Sequence, residues 1–440
     1  MENLNALLEK AGALVWGAPL IILLFGTHIF LTFRLGVIQR YLPKAIKLSF
    51  SRVKEGEGEI SQFGALTTAL AATIGTGNIV GVATAVAAGG PGAVLWMWLT
   101  GVFGIATKYA EALLSVKYRV TLPSGEISGG PMYVLERGLN AKWLGIIFAF
   151  FTAVAAFGIG NMVQANSISS MLRETFGLST WISGLAMTAL TAVVILGGIK
   201  SIARVCEKLV PFMAIFYVLG CGLILLLNFD KLPGAISLIL SSAFSGQAAV
   251  GGFLGAGAKE AMRFGIARGL FSNESGLGSA PIVAAAAQTR NPVRQALVSS
   301  TGTFWDTVVV CLITGLVIVS AGDWQSGLKG AALTKSAFSH IPYIGPTVLS
   351  LGLLTFVFST ILGWEYYGEK AAEYLFGVKS VMPYRVMWII AVMVGSVAAL
   401  PAVWNFADIF NGLMAVPNLV SLLLLAPVVA AETKKYIDEP

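Results

Sequence analysis

The sequence predicts an all-α polytopic membrane protein of about eleven transmembrane helices, in which spans 2–6 and 7–11 form two repeats of inverted topology. Three observations carry that expectation. Of 440 residues, 56% are hydrophobic and only 12% charged, at a mean hydropathy of +0.80, whereas an average soluble protein is about a quarter charged. Apolar stretches long enough to cross a bilayer recur along the whole chain, and the Lys and Arg residues sort between alternate loops. Two of the spans are interrupted by Gly, Ser, Thr and Asn at corresponding places in the two halves. The composition excludes disorder, collagen and coiled coil. The net charge of +7 lies in loops with no basic patch interleaved with aromatics, so the expected partner is the lipid bilayer and not nucleic acid.

A spanning helix needs about 20 apolar residues. Such segments run at 13–33, 62–88, 92–116, 143–170, 179–199, 205–228, 250–288, 293–320, 345–369, 386–401 and 404–431. The first follows Glu2 and Glu9 rather than a basic stretch, and no clear small-residue cleavage site comes after it. It reads as an extra helix ahead of the repeats rather than a signal peptide. Segment 36–54, GVIQRYLPKAIKLSFSRVK, is basic with spaced apolar residues and reads as an amphipathic helix on the inner leaflet. The first repeat covers 62–228 and the second 250–431, with no linker or soluble domain between them, so one transmembrane domain is expected over 1–440. Loops on one side hold 20 of the Lys and Arg residues; those on the other hold five (Lys10, Arg173, Lys231, Lys329, Lys335); four (Lys108, Lys259, Arg263, Arg268) fall inside spans. The positive-inside rule then places the N-terminus outside and the C-terminus in the cytoplasm, across the plasma membrane.

Little else in the composition suggests chemistry. Cys206, Cys221 and Cys311 lie singly in apolar runs and read as packing residues, and His28 and His340 are too few for a metal site. There is no HExxH, GxSxG or phosphate-binding loop, so no enzyme and no catalytic residue is expected. A channel would show a filter-like repeat, and none is visible.

The interruptions are more telling. Span 2 contains Ala71-Ala-Thr-Ile-Gly-Thr-Gly-Asn78 at mid-membrane depth, either a small-residue packing face or a stretch where the helix unwinds. Span 7 contains Ser272-Asn-Glu-Ser-Gly-Leu-Gly-Ser-Ala-Pro281, in which eight of ten residues are Gly, Ser, Asn, Glu or Pro. It is either a long loop between short helices or a broken span. The apolar flanks and the odd number of crossings needed here favour the break. Part of the excess of glycine, 50 residues or about 11% against a usual ~7%, falls in these two places. Broken helices at matching positions of two halves point to a secondary transporter whose substrate site lies at the midplane, served by alternating access.

Gly89-Gly-Pro-Gly-Ala-Val-Leu-Trp-Met-Trp-Leu-Thr-Gly-Val-Phe-Gly104 closely resembles the signature of the alanine or glycine:cation symporter family, with Leu95 where Phe is usual. Phe271–Pro281 and Gly75–Asn78 are similar to that family too, and the resemblance covers nearly the whole chain. It implies sodium-coupled uptake of a small neutral amino acid, alanine and/or glycine. It also implies the five-plus-five inverted repeat of the bacterial leucine-transporter type, within the amino acid–polyamine–cation superfamily, with one extra helix in front. No cofactor is implied beyond sodium as coupling ion.

By resemblance, the unwound first repeat helix is 71–78. The substrate carboxylate maps to backbone N–H groups near Thr76 and Gly77, with Asn78 beside them, where freed amides and the helix dipole favour an anion. The common sodium site maps to Ala71, Ile74, Phe356, Ser359 and Thr360; the other reading of the two hydroxyls is that they bond back to their own helix. A second sodium site, where present in relatives, maps to Asn78 and Thr73 with Thr303, Asp306 or Thr307. Phe271, Ser272 and Asn273 face the substrate, joined by Gln164 and Asn161 from span 4, and Trp364 closes the pocket; each of these has a helix-packing alternative. Intramembrane Glu274 and Asp306 are functional by default. Glu274 pairs within the break or with Arg268 or Arg263, and Glu260–Arg263 and Lys108–Glu111 have the spacing of structural pairs. The alternative within the same fold is a proton-coupled transporter or sodium-independent exchanger using Glu274 or Asp306. Gly89–Gly92 reads as a turn.

Overall fold

The computed structural model describes residues 2–51, 56–244, 257–398 and 401–439. A helix occupies each of the eleven predicted segments. In chain order these are α1 (Asn5–Arg34), the short α2 (Leu42–Ser49), α3 (Gln62–Thr73) and α4 (Gly77–Gly89), which together form one bent element, and α5 (Ala93–Lys117). Then come α6 (Lys142–Phe176), α7 (Thr180–Ile195), α8 (Gly198–Leu227) and α9 (Leu232–Phe244). The second half holds α10 (Ala258–Asn273), α11 (Pro281–Ala284), α12 (Pro292–Ala321), α13 (Gly330–Ser339), α14 (Ile344–Phe376), α15 (Val381–Val397), α16 (Pro401–Leu424) and α17 (Ala426–Tyr436). The predicted start of span 7, residues 250–256, lies outside the described residues.

By length and hydropathy, seven of the described helices pass as spans and the bent pair α3–α4 makes an eighth, so the count of eleven is not reached on that criterion. The reason is local. α10 carries Lys259, Glu260, Arg263 and Arg268 within 16 residues, α5 carries Lys108 and Glu111, and α7 has 16 residues, about 24 Å against a hydrocarbon core of about 30 Å. Three features go beyond the sequence reading: α9, α13, and a small antiparallel hairpin of β1 (Val120–Thr121) and β2 (Ile127–Ser128) after α5.

The basic segment after α1 is helical over Ile38–Ser49. Its inner face is docked on the protein: Ala45 and Ser49 are buried, Ser49 Oγ lies 3.4 Å from Thr301 Oγ1, and Lys44 Nζ donates to Ile437 O at 2.7 Å. Residues 52–54 of this prediction lie outside the described residues.

α3 starts where Ser61 caps it, its Oγ accepting from Gly64 N at 2.8 Å. It stops at Thr73, and the chain turns by 53° before α4. The two breaks are tied together at one end. Ile60 pairs with Ala287 in a parallel bridge, and the Arg119 guanidinium donates to the carbonyls of Glu57, Ala285, Ala287 and Thr289 at 2.8–2.9 Å. α14 runs through the middle, packed against α3, α6, α8 and α15, and Phe356, Thr360, Trp364 and Tyr367 on it are buried. α5 packs on α10 and α12, so both breaks face one buried centre.

Candidate functional site

At the first break Ile74 is extended, with ψ 95°, and the Asn78 side chain spans the gap, its Oδ1 accepting from Gly75 N at 2.9 Å. The first amides of α4, at Gly77 and beyond, have no partner within their own helix and sit at its positive dipole end. Small residues are required here. A Cβ at Gly75 would lie 2.6 Å from Thr360 Oγ1, and one at Gly77 would lie 3.3 Å from Ser272 Cα. The first break therefore touches both α14 and the second break.

Beside it, five oxygens from α3 and α14 converge. Ser359 Oγ donates to Phe356 O (2.8 Å) and reaches Ala71 O (3.2 Å). Thr360 Oγ1 donates to Phe356 O (3.0 Å) and reaches Ile74 O (3.3 Å). All five residues are buried. Both readings of the hydroxyls thus hold in part: they bond back along their own helix and also face carbonyls of α3. Three carbonyls and two hydroxyls without a carboxylate are a hard, weakly charged oxygen set, suited to a monovalent cation and to no transition metal. Among the described residues no group of three His, Cys, Asp or Glu is arranged to hold a metal ion.

At the second break α10 ends at Asn273, and Glu274 takes a left-handed conformation (φ 55°). Gly276 and Gly278 follow at φ 88° and 89°, which only glycine adopts readily. Asn273 Oδ1 accepts from Ser275 N at 2.9 Å. The loop is held from outside by Glu111 of α5, whose Oε1 accepts from Gly276 N (3.0 Å), Gly278 N (3.1 Å) and Asn418 Nδ2 (2.7 Å). The Lys108–Glu111 ion pair suggested by spacing is not formed: Glu111 Oε1 is taken by the loop, and neither its Oε2 nor Lys108 Nζ has a hydrogen-bond partner among the described residues. Glu274 also has other partners than the arginines. Its carboxylate accepts from Trp364 Nε1 (3.0 Å) and from Ser279 Oγ. Arg263 pairs with Glu260 at 3.7 Å, as spacing indicated, and Arg268 lies over the Phe271 ring.

Asp306 connects the two breaks. Its Oδ1 accepts from Asn78 Nδ2 (2.7 Å), and its Oδ2 accepts from Ser272 Oγ (3.0 Å) and Thr307 Oγ1 (2.7 Å). It sits in a π-helical stretch of α12, Phe304–Cys311, and a second such stretch, Ala156–Met162, precedes Gln164 in α6. Such widened turns recur at functional sites. The set suggested for a second sodium is split. Asn78, Asp306 and Thr307 come together, but Thr73 donates back to Ala69 O and Leu70 O, and Thr303 Oγ1 pairs with Ser275 Oγ.

The remaining predicted residues divide. Gln164 Nε2 donates to Ile159 O (2.8 Å) and reaches Thr76 Oγ1 (3.4 Å), while its Oε1 is buried without a partner among the described residues; this side chain belongs to the centre. Asn161 does not, since its amide donates to Trp388 O and faces α15. Trp364 is wedged against Gly160 and hydrogen-bonded to Glu274, between α6 and the second break. Phe271 lines a cavity of about 220 Å³ together with Trp16, Arg268 and Asp408.

The sequence profile of the sodium:alanine symporter family matches residues 1–440. This chain belongs to that family. The symporter is 52% identical over 442 residues to the sodium/alanine symporter AgcS of Methanococcus maripaludis, covering 98% of this chain and 97% of that protein. It is 53% identical over 441 residues to an uncharacterized transporter of Haemophilus influenzae, covering 99% and 97%. Among solved structures, that of MhsT in complex with L-phenylalanine superposes at TM-score 0.57 with 15% identity, covering 85% of this chain and 98% of that one. That likeness shows the fold, the five-plus-five inverted repeat of the leucine-transporter type. Family and fold are those of secondary transporters, not enzymes: the symporter is a multi-pass membrane protein of cation-coupled amino-acid symport.

Proposed function

We propose that the symporter takes up a small neutral amino acid, alanine or glycine, together with sodium, by alternating access. The observation that carries this reading is the convergence of Ala71 O, Ile74 O, Phe356 O, Ser359 Oγ and Thr360 Oγ1 within the break that also holds the amides of Thr76 and Gly77. Sodium at the five oxygens bridges α3 and α14 and fixes the first break. The substrate carboxylate then takes the amides at the positive end of α4, with Asn78 and Gln164 beside it. The substrate's ammonium and side chain face Ser272, Asn273 and Phe271 of the second break and Trp364. Cation and substrate thus stabilise one arrangement of the same two breaks, which is the physical content of coupling. The name of the AgcS relative supports alanine and sodium. In this reading the repeats are 62–228 and 250–431, and the Lys and Arg distribution supports an N-terminus outside and a C-terminus in the cytoplasm of the plasma membrane.

The test is uptake of radiolabelled alanine by proteoliposomes holding the purified chain, with and without an inward sodium gradient. Accumulation that requires the gradient is the expected result. Accumulation that ignores sodium and follows a pH gradient would move the coupling role to Asp306 or Glu274.

A further inference from the structure

Lys108 is a charge in the middle of the protein that the proposed cycle has not used. Its side chain is 4% exposed, and its Nζ has no hydrogen-bond partner among the described residues. Glu111, one turn along α5, gives its Oε1 to the loop amides and makes no ion pair with Lys108, its Oε2 having no hydrogen-bond partner among the described residues, and Glu274 is committed to Ser279 and Trp364. His28 of α1 faces the same region and is held through Thr107. A buried ammonium with its donors uncommitted is costly and is rarely retained as packing.

The Lys108 side chain lines a small cavity with Thr73, Asn273, Pro281 and Ser299. At about 10 Å³ it admits one water-sized group. Its position gives it meaning. Thr73 is the last residue of α3, three before Thr76, and Asn273 adjoins Ser272, which abuts Gly77. The cavity is therefore lined by residues three before Thr76 in one break and next to Ser272 in the other. It lies on the α3 and α11 side of the breaks, where Ile60 pairs with Ala287 and Arg119 gathers the loop carbonyls. The 220 Å³ cavity over Phe271 is lined instead by α1, α10 and α16. The Lys108 side is also the one that carries most of the chain's Lys and Arg residues in its loops.

We propose that Lys108 forms a release-side subsite for the carboxylate of the amino-acid substrate. As the centre opens toward the Gln62, Lys117 and Pro292 ends of α3, α5 and α12, the carboxylate leaves the amides of Thr76 and Gly77 and passes to the Lys108 ammonium before it reaches water. The inference rests on the function proposed above and adds a second station to it.

The test separates release from binding. Purified Lys108→Met is assayed for equilibrium binding of radiolabelled alanine at saturating sodium, and in proteoliposomes for alanine exchange. Binding should stay within about twofold of the unchanged protein, which also shows that the variant is folded. Exchange should slow about tenfold, the effect of roughly 1.4 kcal/mol on a barrier. Lys108→Arg should keep most of the exchange rate. The double variant Lys108→Met, Glu274→Gln should remain slow. Wild-type exchange by Lys108→Met, loss of alanine binding by it, or recovery of exchange in the double variant would overturn the proposal; the last would make Lys108 a counter-charge to Glu274. Absence of sodium-stimulated alanine binding by the unchanged protein would instead overturn the function on which the inference rests.

Discussion

Gly363→Ala tests the coupling of α3 and α14 at a point of close backbone approach. A Cβ at Gly363 would lie 2.7 Å from Ala72 N and 2.9 Å from Ala72 Cα. Those are backbone atoms of α3 and cannot swing aside, so ordinary contact at 3.4 Å or more requires the helices to part by about 0.7 Å. One turn earlier on α14, Ser359 and Thr360 face Ala71 O and Ile74 O at 3.2 and 3.3 Å, and a bound ion holds its ligand distances to about 0.2 Å. An extra methyl in a packed core costs about 1–3 kcal/mol. The strain is released as the helices separate, so it subtracts from any binding that holds them together. At about 1.4 kcal/mol per tenfold, the sodium concentration for half-maximal alanine binding should rise between roughly fivefold and 150-fold. The assay is equilibrium binding of radiolabelled alanine to purified protein over a sodium titration at constant ionic strength. Gly222→Ala is the control, since its Cβ would meet nothing within 4 Å. A folded Gly363→Ala protein with unchanged sodium dependence would refute the reasoning.

Other outcomes follow from the same geometry. Gly278→Ala combines φ 89° with a Cβ 2.7 Å from Phe148 Cε2, so thermal unfolding in detergent should show a loss of at least about 1–3 kcal/mol; Gly125→Ala, at φ 82° with open space around it, should lose the backbone part only. Arg119→Lys cannot reproduce a planar fork on four carbonyls, so it should lower the melting temperature and cost about 2 kcal/mol at roughly 0.5–1.5 kcal/mol per hydrogen bond lost. Alaninamide in place of alanine lacks the charge that the amides at Thr76 and Gly77 attract, so its competition against labelled alanine should weaken about 10²-fold, for charged hydrogen bonds of roughly 1.5–3 kcal/mol. Equal competition by the amide would remove those amides from the site.

The helical architecture and both breaks were legible because they are written in composition. Gly75, Gly77, Gly276 and Gly278 fall where apolar runs fail, and the structure needs glycine there for close approach or positive φ. The partnerships around the breaks were less so. Spacing suggests Lys108 for Glu111, yet Glu111 bonds amides 165 residues away, and local sequence carries no sign of a contact made through the fold. Which polar side chain of α6 faces the centre depends on the π-helical stretch Ala156–Met162. One extra residue in a turn rotates everything beyond it by about 100°, so Gln164 points inward while Asn161 bonds Trp388 O. A like stretch, Phe304–Cys311, holds Asp306 between Asn78 and Ser272. α9 escaped notice because its 13 residues are too few for a span.

The central claim is that the oxygens joining α3 and α14 hold the coupling ion, and the sodium dependence of alanine binding to the Ser359→Ala, Thr360→Ala protein tests it most directly. With both hydroxyls gone, only the carbonyls of Ala71, Ile74 and Phe356 remain, so the half-maximal sodium concentration should rise at least about tenfold while alanine affinity at saturating sodium stays near that of the unchanged protein. A folded double variant that binds alanine with the original sodium dependence would contradict the account.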